Sequence, residues 1–256
     1  MVSTLQAISF TGTDVDHIGV AFESFFGSVF RGELGQYFTM RPIARFTVAM
    51  LDIDHNHFVL DPTAGSGGFL LETLLQAWHS LEQNFSGQPA DQVDRIKTDF
   101  ALTKVYGIEI HEVLARICKI NLLLHNDGHT NIEGDRSCLD TIFTRSRLAE
   151  GRGRFHRIVG NPPFGDEVQE GDEDHLGSNS LANFDVAQGR GAVDSEHIVL
   201  ERNGTRTKPL SRSSSKNLSV NLDTSGSSIC ASLDSSVLSC FICRRGKRRG
   251  KQCGPS

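Results

Sequence analysis

The chain predicts an α/β fold built on a parallel sheet, and three stretches carry that prediction. The first is Phe58-Val59-Leu60 leading into Asp61-Pro62-Thr63-Ala64-Gly65-Ser66-Gly67-Gly68, which opens onto Phe69-Leu70-Leu71-Glu72-Thr73-Leu74-Leu75 at helical spacing. It reads as a strand, a glycine-rich turn and a helix. Glycines serve where the backbone must turn tightly and approach a ligand with no Cβ in the way, and the helix start beyond them offers free N–H groups. The second is Lys104-Val105-Tyr106-Gly107-Ile108-Glu109-Ile110, a buried strand ending in an acid. The third runs from Phe155 to Gly160, a fourth strand with Asn161-Pro162-Pro163-Phe164 at its carboxyl end.

The elements follow in order. Residues 14–31 carry apolar side chains at 15, 18, 22, 25, 26, 29 and 30, the stripe of a packed helix, with Asp14 as its cap. Gly32 to Arg41 then reads as a ligand-facing loop, and Pro42 suits the first turn of a helix reaching Leu51. After the glycine turn a helix is expected over 69–83, a solvated loop over 84–94 and a short helix over 94–102. The strand ending at Glu109 comes next; an acid there accepts hydrogen bonds from ribose hydroxyls in nucleotide-binding βαβ units. A helix over 111–125 should turn Val113, Leu114, Ile117, Ile120, Leu123 and Leu124 inward, with Asn126-Asp127-Gly128 as its stop. Ile132 to Ser137 reads as a third short strand and its exit, where Asp135 is placed to accept from an adenine amino group or simply to form the turn. His55, His57, His125 and His129 read as solvated loop histidines.

Composition bounds the function. With 256 residues and a net charge of −5, the chain hides an asymmetry: residues 203–256 hold ten Lys/Arg against two Asp/Glu, about +8, so residues 1–202 sit near −13. An acidic body is unlike an autonomous DNA binder, so any grip on DNA is expected to come largely from partner subunits. No apolar run approaches the length of a membrane span, and the start lacks a secretory pattern, so no membrane association and a cytoplasmic location are expected. Four of six cysteines crowd the last 27 residues; Cys240-Phe241-Ile242-Cys243 has no second pair at zinc spacing, so no metal site is expected. Cys118 and Cys138 read as reduced thiols in or near the core.

The third stretch resembles the catalytic loop of amino-group methyltransferases, and the chemistry that this implies suits its residue types. An exocyclic amine is a poor nucleophile because its lone pair is delocalised into the ring. The Asn161 side-chain carbonyl and the Pro162 backbone carbonyl can accept its two hydrogens, so that charge develops among dipoles already in place. Pro162 and Pro163 stiffen the loop, and Phe164 offers a face for an extruded base.

The glycine loop and this stretch together resemble the cofactor and catalytic loops of N6-adenine DNA methyltransferases. Gly35-Gln36-Tyr37-Phe38-Thr39-Met40-Arg41 is similar to a segment that, in the methylation subunits of type I restriction-modification systems, folds over the cofactor, with Met40 where proline is usual. The resemblance covers roughly 14–202. It implies a Rossmann-like fold, S-adenosyl-L-methionine as cofactor, transfer of its methyl group to adenine N6 in DNA, and action with specificity and restriction subunits. It also implies Asn161, Pro162, Pro163 and Phe164 as catalytic residues. Gln36, Tyr37, Phe38, Thr39, Arg41, Asp61, Ala64, Gly65, Ser66, Gly67, Gly68, Glu109 and Asp135 are implied as cofactor-binding. Similar loops serve methyltransferases of RNA or of protein glutamine, and a non-catalytic remnant that holds cofactor or partner is a third reading.

Segments 1–34 (helical) and 35–202 (the first part of the catalytic domain) are followed by an abrupt change at Asn203. Thirteen of the last 54 residues are serine, so 203–256 is expected to be a disordered tail, with translation leaving the ancestral frame near Arg202. The sheet would then stop at its fourth strand with an uncovered apolar edge, lowering solubility and weakening catalysis.

Overall fold

A computed structural model describes residues 39–125, 128–149, 155–163, 165–205, 216–222, 227–234 and 237–244. The expected helix over 14–31, the loop residues Gln36, Tyr37 and Phe38, and Phe164 lie outside these.

Helix α1 (Arg41–Met50), with Pro42 in its first turn, precedes strand β1 (Val59–Asp61). Helices α2 (Gly68–Asn84) and α3 (Ala90–Thr103) lead to β2 (Val105–Glu109), and α4 (Glu112–Leu124) leads to β3 (Ile132–Gly134). A single-turn helix, α5 (Ser146–Ala149), precedes β4 (Arg157–Gly160). Beyond it come β5 (Glu167–Gln169), α6 (Glu173–Leu176), two short 3-10 turns, β6 (Ala192–Asp194) and α7 (Ser195–Thr205). The last described strands are β7 (Lys216–Leu222), β8 (Ser227–Asp234) and β9 (Val237–Arg244).

The main sheet has the order β3-β2-β1-β4-β9-β8-β7. β1 pairs in parallel with both β2 (Leu60 against Tyr106) and β4 (Leu60 against Ile158), and β2 pairs in parallel with β3. The chain therefore moves outward from β1 through β2 to β3, then returns to the other side of β1 with β4. Such a reversal of strand order opens a crevice beyond the carboxyl ends of the strands.

Successive residues of a strand face opposite sides of a sheet, and the core divides accordingly. Val59, Val105 and Val159 join Leu70, Leu71, Leu74, Phe100 and Leu122 on one face. Leu60, Tyr106, Ile108 and Ile158 join Phe155, Phe143, Val168, Ile198 and Val199 on the other. With both faces covered, the strands are nearly continuous apolar runs, as parallel strands are. Cys118 and Cys138 are buried, as expected.

Three expectations are corrected. Helix α3 starts at Ala90, inside the stretch read as loop, because Pro89 ends the turn and Ala90-Asp91-Gln92 is good helical sequence. Helix α4 is rotated from its expected phase: Leu114, Ala115, Ile117, Cys118, Asn121 and Leu122 are buried, whereas Val113, Ile120 and Leu123 are exposed. Apolar residues surround that helix almost completely, so periodicity alone left its phase open. His125 is buried, its Nδ1 2.6 Å from the Asn121 carbonyl, because it continues the inward row one turn beyond Asn121.

Three strands also lie within 203–256, the segment expected as a disordered tail after a sheet of four strands. β9 pairs in parallel with β4, from Arg157 opposite Leu238 to Gly160 opposite Phe241. β8 is antiparallel to β9, and β7 to β8. Under the serine-rich composition lies a period of two, with Leu218, Val220 and Leu222 in β7 and Ile229, Ala231 and Leu233 in β8 each separated by single residues. The expected bare edge of β4 is thus covered.

Candidate active site

Beyond the carboxyl ends of β1 to β4 lies a cavity of about 940 Å3. At the end of β1, the chain turns through Gly65 (φ 54°) and Gly67 (φ 86°), backbone that side chains rarely adopt. The Ala64 N–H donates to the Ile108 carbonyl at 2.9 Å, tying the turn to β2, and Gly67 begins α2 by accepting from Leu71 N–H at 2.9 Å. Ala64, Gly65, Ser66 and Gly68 line the cavity. Gly67 does not: a Cβ on it would sit 2.8 Å from Cys118 Sγ, so it faces α4.

Glu109, ending β2, also lines the cavity. One carboxylate oxygen accepts from Gly65 N–H at 2.8 Å and the other from His111 N–H at 2.9 Å. Burial raises its pKa, against the effect of those two bonds. Asp135, just past β3, lines the wall with φ 58°, a left-handed conformation that Asp tolerates better than most residues.

Asn161, Pro162 and Pro163 complete the wall beyond β4. The Asn161 Nδ2 group donates to Thr39 Oγ1 at 3.2 Å, and the Asn161 backbone carbonyl accepts from Thr63 Oγ1 at 3.1 Å. Its Oδ1 is buried with no hydrogen-bond partner among the described residues. Thr39 itself is a lining residue.

Besides Gly67, two residues expected to bind cofactor are not among those lining the cavity. Asp61 is wholly buried beneath the loop, its Oδ1 accepting from Thr63 N–H at 3.1 Å. Burial, with Glu109 nearby and against the Thr63 bond, pushes its carboxyl up to about 8. It shapes the turn from below and is not among the lining residues. Arg41 also falls outside the lining set; its guanidinium faces Glu72 of α2, with Nη1 3.9 Å from Oε1.

Sequence reasoning missed the opposite wall, formed by Arg136, Asp140, Asp166, His175, Ser195 and others. Asp140 organises it, accepting from Arg136 Nη1 at 2.7 Å, from Ser178 Oγ at 2.7 Å and from Ser178 N–H at 3.1 Å. Burial alone would raise its carboxyl, but the bonds from Ser178, Arg136 and Ile142 outweigh it and hold the group well below the usual carboxylate range. Nothing local marked Asp140, because its key partner lies 38 residues away. Among the described residues no cluster of three His, Cys, Asp or Glu could hold a metal, and no helix is long and apolar enough to cross a membrane.

The type II restriction enzyme and methyltransferase RM.BcgI of Heyndrickxia coagulans is 30% identical over 156 residues, 60% of this chain and 22% of that protein. The EcoEI type I restriction enzyme methylase subunit of Escherichia coli is 26% identical over 179 residues, 68% of this chain and 33% of that one. The chain thus spans about a fifth to a third of the curated relatives it matches. Among solved structures, a modification subunit from Vibrio vulnificus YJ016 shares the fold, with a TM-score of 0.55, 22% identity, and coverage of 80% of this chain and 38% of that one. The family model for N-6 DNA methylases matches residues 13–189, from before the glycine loop to beyond Pro163, and the chain belongs to that family.

Proposed function

We propose that this chain carries the cofactor and catalytic loops of a DNA adenine methylation subunit of a restriction-modification system, using S-adenosylmethionine as donor. The observation that carries the reading is that Asn161, whose buried Oδ1 has no partner among the described residues, lines the same cavity as the glycine turn.

The residues present fit that cofactor. A cavity of about 940 Å3 lies at the upper end of the range for ligand sites and leaves room for a base beside the cofactor. A Cβ on Gly65 or Gly68 would meet nothing within 4 Å, so the backbone there is open to close approach. Glu109 offers carboxylate lone pairs to ribose hydroxyls, and Asp135 an acceptor for an amino group. When bound, the cofactor supplies an electrophilic methyl group.

The chain's own part is to prepare the amine. An adenine amino group against Asn161 donates one hydrogen to Oδ1 and the other to the Pro162 carbonyl. As the nitrogen lone pair turns toward the methyl group, positive charge grows on nitrogen and both acceptors bind it more tightly, favouring the transition state over the ground state. The stiff Pro162-Pro163 loop keeps those acceptors from needing to be ordered during the step. A specificity subunit would supply the DNA sequence recognition, with a restriction subunit as a further partner, and much of the grip on DNA that the acidic body is not suited to provide.

Titration calorimetry of the full chain with S-adenosylmethionine tests the first half, with one site per chain expected and at least about tenfold weaker binding in Glu109→Ala. Methyl transfer to DNA lacking N6-methyladenine, read by mass spectrometry of the nucleosides, tests the second; Asn161→Ala should abolish transfer while retaining cofactor binding. No binding heat from folded protein would overturn the proposal.

A further inference from the structure

Two threonines hold Asn161 from different sides. Thr63 grips its main chain: Thr63 Oγ1 donates to the Asn161 carbonyl, while Thr63 N–H is anchored on the buried Asp61. Thr39 grips its side chain, with Oγ1 accepting from Nδ2 at 3.2 Å. The terminal torsion of an asparagine is broad and soft, so an unheld amide would sweep Oδ1 through many directions. Pinning the NH2 end and the backbone together gives Oδ1 one direction. That oxygen is buried and lacks a partner among the described residues, a condition that favours a ligand bringing a donor.

We infer that Thr39 and Thr63 are positioning residues that clamp Asn161 so that its side-chain oxygen faces the incoming amine. The inference deepens the methyltransferase reading and rests on it. It also gives Thr39 a different task from direct cofactor binding, since the hydroxyl on the cavity wall is already engaged by the amide.

The test uses the full chain labelled with 15N-asparagine, the Asn161 side-chain amide being assigned by its disappearance in Asn161→Ser. In Thr39→Val, which removes the hydroxyl at nearly constant volume, the two amide protons should move toward free-amide positions and exchange faster with water. Thr39→Ser should leave them in place. Cofactor affinity by calorimetry should stay within about twofold in both, while kcat for methyl transfer falls roughly ten- to a hundredfold in Thr39→Val, with KM for DNA little changed. Thr39→Ser should recover most of kcat, and Thr63→Val should lower it through displacement of the loop.

Amide signals unmoved in Thr39→Val would show that no clamp exists. A fall in cofactor affinity that tracks loss of the hydroxyl would make Thr39 a cofactor ligand instead. An unchanged kcat would overturn the positioning role. If the unaltered chain transfers no methyl group to DNA, the functional reading fails separately, and the amide signals with the cofactor affinity still decide the clamp.

Discussion

Burial of single groups beneath the glycine turn makes the site sensitive to pH and to substitution. Asp61 ionises near 3.8 when exposed and near 8 in the fold. Between those values the folded chain keeps a proton that the unfolded chain releases, so this group makes stability fall as pH rises, by up to about 1.4 kcal/mol per unit. Asp61→Asn should flatten that part of the profile, measured by urea unfolding between pH 5 and 8, roughly the span of the shift. Gly160 is a second such position. A Cβ there would lie 2.9 Å from Asp61 Oδ1, 3.2 Å from Thr63 Oγ1 and 3.3 Å from Pro62 Cδ, none at the free end of a long side chain. Gly160→Ala should therefore cost about 1–3 kcal/mol in urea unfolding, as overpacking does. That Gly65, Glu109 and Asn161 meet at one cavity was readable, because each stands at or just past the carboxyl end of a parallel strand. For Asp61 and Arg41 the motif gives identity and not direction: one side chain turns under the loop, and the other turns to Glu72.

Helix α4 shows where pattern stops informing. A stripe of apolar residues fixes the inward face of a helix only when the other face is polar, and here Val113, Ile120 and Leu123 are apolar and exposed. The rotated phase makes a clear contrast between neighbours. Leu123→Lys should change stability by no more than about 0.5 kcal/mol. Leu122→Lys, at 0% exposure, buries an unpaired charge and should cost several kcal/mol or prevent folding. Thermal melts of the two variants decide between the phases. The strands β1, β2 and β4 were legible because a parallel strand covered on both faces is an uninterrupted apolar run. The last three strands were not, since serine between the apolar positions reads equally well as unstructured chain.

Across the whole molecule, β9 is what separates the central strand β4 from solvent. A chain ending at Arg202 would expose the β4 edge. It should elute as soluble aggregate on size exclusion at concentrations where the full chain does not. The wall centred on Asp140 was illegible for a related reason: its bonds join Arg136 and Ser178 across a loop that only the folded sheet closes. The strand order has a last consequence, in time and not in space. The two loops that meet at Thr63 and Asn161 are separated by 98 residues, because β2 and β3 are laid down before the chain returns to β1. On a ribosome adding roughly 5–20 residues each second, the glycine turn emerges several seconds before the asparagine that completes it. Through that interval the nascent chain carries half a cleft, with β1 bare on the side where β4 will pair. Rare codons or a chaperone acting between residues 110 and 160 would thus bear on yield more than the same event earlier in the chain.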